Sequence, residues 1–146
     1  MRLESIEPRL AEEIKKSGSE LQRRVALLAC RFAMNAAPVG NSIAAQALLV
    51  LEIGQRFTEE QLAKLNNLQQ ELDDRYFDLQ EQAEDDAEKQ VEALQYFGQA
   101  RAVSALLFSQ DSDPLVASME AVYEASSTTD RPADLFDAVT HLLAGH

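Results

Sequence analysis

The chain is poor in the residues that build catalytic and metal centres. Its 146 residues include one cysteine, Cys30, and two histidines, His141 and His146. A single cysteine cannot form an internal disulfide, which fits a reducing compartment. Cys30 lies in an apolar stretch, where a thiol packs as a small hydrophobe. Arg31 beside it would favour a thiolate, but no histidine is near in sequence to make a nucleophilic pair. Di-iron bundles need inward Glu-x-x-His pairs from two helices, and the residue three before His141 is Ala138. His141 reads instead as a surface residue near a helix C-terminus, where its charge suits the dipole. Asp111-Ser112-Asp113-Pro114 begins like a calcium loop but has proline where further ligands and a glycine are required. Five glycines and four prolines argue against an all-β or loop-rich protein and supply no glycine-rich phosphate loop.

Long apolar runs are missing too. The N-terminus MRLESIEPRLAEEIKK is charged and has no signal-type apolar centre. Residues 25–37 and 43–53 are the most apolar stretches, too short or interrupted for a span of about 20 residues. A cytoplasmic protein without membrane contact is expected. Bases are scarce: 13 Lys and Arg stand against 25 Asp and Glu, a net charge of −12. Phosphate backbones need basic clusters, so direct nucleic-acid binding is not expected. Basic proteins are the natural electrostatic partners.

What is present is helical periodicity. Pro8 sits in a first turn with Leu10 and Ile14 following, and Gly18 ends that helix. Ser19 is positioned to cap a helix over 20–37, with Leu21, Val25, Leu28 and Phe32 on one side; Pro38 breaks it. Asn41 or Ser42 caps a helix over 43–55 whose AAQALLVLEI run is apolar nearly all round, the pattern of a central element. Thr58-Glu59-Glu60-Gln61 matches a capping box. Asp113-Pro114 and Pro132 open two more helices, separated by the SSTTD loop. No stretch alternates long enough for a strand. These signals predict an all-α fold: one domain over 1–146, a compact and mostly antiparallel bundle of six to seven helices, with central apolar helices at about 20–37 and 43–55.

The segment 58–97 stands apart. It holds twelve acids against Lys64, Arg75 and Lys89, a net of −9. At 100° per residue a stripe from Leu62 through Leu72, Tyr76 and Val91 to Leu94 and Phe97 falls on one face. Asp74, Asp78, Glu81, Asp85, Glu88 and Glu92 fall on the other. Read without interruption this helix is about 60 Å long, so a kink or break is expected near 83–87, with Gly98 separating it from a further helix over 99–109. Like charges at i,i+4 cost roughly 0.2–0.5 kcal/mol per pair, and Asp74–Asp78, Glu81–Asp85, Glu84–Glu88 and Glu88–Glu92 are four such pairs. Phe77 projects to the border of this ridge, an aromatic beside carboxylates, as in interface hot spots.

Asp74, Phe77, Asp78, Glu81, Glu84, Asp85, Glu88 and Glu92 are therefore the candidate partner-binding residues. The competing arrangement has Phe77 packed on another helix and Lys15, Lys16, Arg23 and Arg24 neutralising the ridge internally. A second alternative is a Mg²⁺-dependent all-α nucleotide pyrophosphohydrolase using Glu71, Asp74, Glu84, Asp85 and Glu88, since hard cations prefer carboxylate oxygens. That family also needs Glu-Glu-x-x-Glu on a preceding helix, and Glu12-Glu13 and Glu59-Glu60 are followed at the third position by Lys16 and Ala63. A self-associating helical adaptor, such as a homodimer, is the third option. No catalytic residue, metal or cofactor is expected.

With Arg31-Phe32-Ala33, Asp73-Asp74-Arg75-Tyr76-Phe77-Asp78 and Ala100-Arg101-Ala102, the chain resembles small all-helical bacterial proteins, some of which are immunity proteins for secreted toxins. The resemblance lies in length, helix order and acidity. It implies a non-enzymatic inhibitor whose acidic surface covers the basic active-site cleft of a nuclease-type toxin.

Overall fold

The computed structural model describes residues 1–145; His146 lies outside them. Eight helices make up the order α1 (Arg2–Ile6), α2 (Pro8–Lys16), α3 (Ser19–Ala36), α4 (Ser42–Glu52), α5 (Glu59–Gln82), α6 (Ala87–Phe108), α7 (Pro114–Ser126) and α8 (Pro132–Ala144). No strand occurs among the described residues. The fold is all-α as the periodicity predicts, with one helix beyond the six to seven expected: the short α1.

Local chemistry sets most helix starts. Asn41 Oδ1 accepts from Ile43 N–H at 2.8 Å. Thr58 and Gln61 form the capping box, Gln61 N–H to Thr58 Oγ1 at 3.1 Å and Thr58 N–H to Gln61 Oε1 at 2.8 Å. Asp113 Oδ1 accepts from Leu115 N–H at 2.9 Å. Each such bond satisfies a donor that the first helical turn leaves open. Prolines open α2, α7 and α8, where a missing N–H costs nothing. Gly18, not Ser19, is the N-cap of α3.

The centre is α3, α6 and α7. In α6, Ala102, Val103, Ser104, Ala105 and Leu106 are buried in succession, so neighbours cover that helix on all sides. In α7 the same holds from Ala117 to Val122. One apolar cluster runs from Leu3 through Val25, Leu65 and Met119 to Leu143.

Two expectations are overturned. The helix over 43–55 is not central. α4 buries only Ala44 and Ala47, and Leu49 and Ile53 are 62% and 68% exposed. All-round apolarity shows that a helix tolerates burial on any face, not that every face is covered; α4 docks through Ala44 and Ala47, with Ile43, Leu48 and Leu51 half-buried beside them, and leaves Leu49 to solvent.

The stripe over 58–97 is not one helix face either. The chain reverses at residues 83–86. Phe57 N–H bonds Gln110 Oε1 at 2.8 Å, Arg101 reaches Asp73 at 3.1 Å, and Gln90 Nε2 donates to Ala83 O at 3.0 Å. As numbers rise along α5 they fall along α6, so the two form an antiparallel hairpin. The break belongs to Asp86, whose Oδ1 accepts from Glu88 and Lys89 N–H at 3.0 and 3.2 Å and starts a new helix. A single angular register cannot be carried through it. Val91 and Leu94, expected inside, are 58% and 64% exposed. Gly98 does not interrupt α6. A Cβ there would lie 3.3 Å from Ala37 Cβ, so glycine lets the chain after α3 pass close by.

Candidate functional site

The far end of the α5–α6 hairpin projects from the body. Beyond Leu72 no α5 residue is buried, and in the first half of α6 only Ala93 is. Residues 74–94 carry eight acids against Arg75 and Lys89, net −6. The reversal distributes the candidate residues: Asp74, Phe77, Asp78 and Glu81 on α5, Glu84 and Asp85 in the turn, Glu88 and Glu92 on α6. All eight are exposed. The single acidic ridge of one helix is thus corrected to the tip of a two-helix hairpin. The break falls where like charges crowd most. Of the four expected repulsive pairs, Asp74–Asp78 and Glu88–Glu92 remain within one helix, while Glu81–Asp85 and Glu84–Glu88 are divided by the turn.

Among the described residues none of these seven carboxylates forms an ion pair. Asp74 accepts from Gln70 Nε2 at 3.1 Å. The cations expected to neutralise the ridge are elsewhere: Lys15 pairs with Glu4 at 3.1 Å, and Arg23 donates to the Ser109 and Ser112 carbonyls. Lys16 and Arg24 pair with none of the seven. Phe77 is 58% exposed, its ring meeting that of Tyr76 at 5.2 Å.

The hairpin has two unlike flanks. Arg75 Nη1 donates to Tyr96 Oη at 3.3 Å on one, and Arg101 Nη2 to Asp73 on the other. Residues three or four apart share a face. One turn outward from the Arg75–Tyr96 contact come Asp78 and Glu92, then Glu88. One turn outward from Asp73–Arg101 come Phe77 and Phe97, the latter 5.2 Å from the Tyr76 ring. Phe77 and Asp78 therefore turn to different flanks, and Phe77 keeps Asp74 and Glu81 as neighbours. Near the turn a cavity of about 310 Å³ opens between Tyr76, Ala83, Ala93 and Leu94, edged by Gln80 and Glu84. Leu94 also lines a second cavity, of about 620 Å³, which takes in Val91 and reaches Pro38 and Thr128.

No group of three or more His, Cys, Asp or Glu side chains among the described residues is placed to hold a metal ion. Glu71, Asp74, Glu84, Asp85 and Glu88 are spread over two helices and the turn between them. Cys30 is fully buried, and burial pushes its thiol up to about 12, against the acidifying contact with Ser109. It packs as a core residue. No described helix is long and apolar enough to cross a membrane.

Sequence reasoning missed an ionic chain centred on the buried Glu124. Arg2 of α1 bonds Glu120 and, at 3.0 Å, Glu124 of α7; Arg101 reaches Glu124 at 3.4 Å and Asp73 at 3.1 Å. Arg2 also lies 4.2 Å from the centre of the Tyr123 ring. Burial opposes its charge, but Glu120 and Glu124 outweigh that and hold the guanidinium above its ordinary value. Arg101 Nε is buried without a hydrogen-bond partner among the described residues. The signal available was Glu120 and Glu124 at i,i+4 on an otherwise apolar helix.

Compared with protein-family models, with curated proteins and with solved structures, the chain matches none.

Proposed function

We propose that the protein is a non-enzymatic binding module whose α5–α6 tip docks a cationic protein surface. The observation that carries this reading is the tip itself: seven exposed carboxylates with no ion-pair partner among the described residues, on the same two-helix tip as the exposed Phe77 and Leu94. Magnitudes divide the work. Burying a side chain such as Phe or Leu is worth roughly 1.5–3 kcal/mol, whereas an exposed ion pair gives about 0.2–1 kcal/mol. Phe77, Leu94 and the cavity that Leu94 lines supply affinity; the carboxylates speed encounter and reject acidic competitors. The partner is then a basic surface bearing an apolar knob. The immunity-protein resemblance implies a toxin of nuclease type, its basic active-site cleft covered by the tip.

Two synthetic peptides of equal positive charge test the reading, one carrying a leucine or phenylalanine anchor and one with alanine in its place. The anchored peptide is expected to bind the full chain about tenfold more tightly, an advantage of about 1.4 kcal/mol. Phe77→Ala together with Leu94→Ala removes the advantage, and Asp78→Lys with Glu92→Lys weakens both peptides. Equal affinity of the two peptides, or indifference to both variant pairs, would defeat the proposal.

A further inference from the structure

At the other end of the hairpin, about 36 Å away along the 24 residues of α5, the electrostatics invert. Three of the nine arginines of this acidic chain converge on one cleft of about 390 Å³ between α3, the end of α4 and the end of α6. They are Arg23, Arg24 and Arg56. None forms an ion pair among the described residues. Arg23 is held by neutral groups, Nη1 donating to Ser109 O at 3.2 Å and Nη2 to Ser112 O at 3.1 Å. Arg56 Nη2 donates to Gln110 O at 2.5 Å. Carbonyls fix a guanidinium in place without cancelling its charge. Two carboxylates also line the cleft, and one, Glu52, is taken by Arg31 at 3.4 Å, leaving Glu20. Three guanidiniums thus face one uncommitted acid. Ala26, Leu27 and Leu51 supply an apolar wall.

We propose that this cleft binds a small organic anion, a carboxylate or phosphate head on a short apolar body. The volume lies in the range of small-molecule sites. Guanidinium N–H groups match carboxylate and phosphate oxygens, and two of the three guanidiniums are already held in place by carbonyls, with N–H groups to spare. The leucines take the body. Arg24, exposed and free of any ion pair, closes over the head.

Backbone amide shifts of the full chain, titrated with phenyl phosphate, phenylacetate, inorganic phosphate and the neutral phenylacetamide, test this. Saturable shifts are expected in residues 20–27 and 51–56 with at least one of the two organic anions, and whichever binds more tightly identifies the head group. Inorganic phosphate binds more weakly, for want of the body, and phenylacetamide does not saturate. Arg24→Glu lowers affinity at least about tenfold, the scale of one charge-assisted contact, with the unfolding midpoint unchanged. The proposal is overturned if neither organic anion moves those amides, if phenylacetamide or inorganic phosphate binds as tightly, or if Arg24→Glu leaves affinity where it was.

Discussion

Glu124 and Glu88 are both helical glutamates, and the fold treats them in opposite ways. Glu124 is 3% exposed and held between Arg2 and Arg101. Glu88 is exposed, and no cation among the described residues pairs with it. In the body Arg2 and Arg101 meet Glu120, Glu124 and Asp73, and Arg23 and Arg56 hold carbonyls after α6, while the hairpin tip keeps net charge −6 in water. Around Glu124, then, charge is architecture: removing it leaves the largely buried Arg101 without a carboxylate on that side. At the tip, charge is available, and changes there should alter binding far more than folding.

The largest expected effect comes from removing the buried Glu124. Glu124→Ala leaves Arg2 and Arg101 facing a truncated site, at a cost of about 3 kcal/mol or more in urea unfolding. A loss under about 1 kcal/mol would place that network among the dispensable surface pairs. Next comes a matched pair of leucines on the two halves of the hairpin. Leu65, fully buried on α5, should cost about 2–5 kcal/mol when cut to alanine. Leu94→Ala should stay within about 0.5 kcal/mol. Similar losses at both would mean that Leu94 is inside, as a continuous helix requires.

The buried thiol gives a pH test of the body alone. The folded state holds the Cys30 proton more tightly than the unfolded chain, because burial raises its pKa from the ordinary 9.0 to about 12. Its contribution to stability is therefore complete below about pH 9 and is lost as pH rises toward about 12. Wild type should lose stability over that window more steeply than Cys30→Ala, measured as unfolding midpoints against pH. Parallel curves would show that the thiol titrates alike in both states. The smallest effect belongs to the tip: Glu92→Lys replaces the Glu88–Glu92 repulsion by an attractive i,i+4 pair and should raise stability by about 0.5 kcal/mol.

What the sequence disclosed was local. Asn41, Thr58 with Gln61, Asp113 and the prolines act through neighbours one to three residues away, and each starts a helix where its chemistry says. The position of α4 was not legible, since AAQALLVLEI does not reveal how many of its faces find a neighbour. The hairpin was half legible. The shrinking apolar residues near Ala83 marked the break, and Asp86-Ala87-Glu88 is a helix start in its own right, but a break does not announce a reversal. That depends on α6 finding α3 and α7. The candidate carboxylates lie outside, while their division between α5, the turn and α6 needed the second helix beside the first. The Arg2–Glu124 contact, 122 residues apart, had no local signal at all.

The most direct measurement is the footprint of the anchored cationic peptide in a backbone amide spectrum of the full chain. The largest shifts should fall in residues 76–94, on α5, the turn and α6 together, and vanish in Phe77→Ala with Leu94→Ala. Shifts centred on α2, α8 or the outer face of α4, with the hairpin tip silent, would contradict the assignment of binding to that tip.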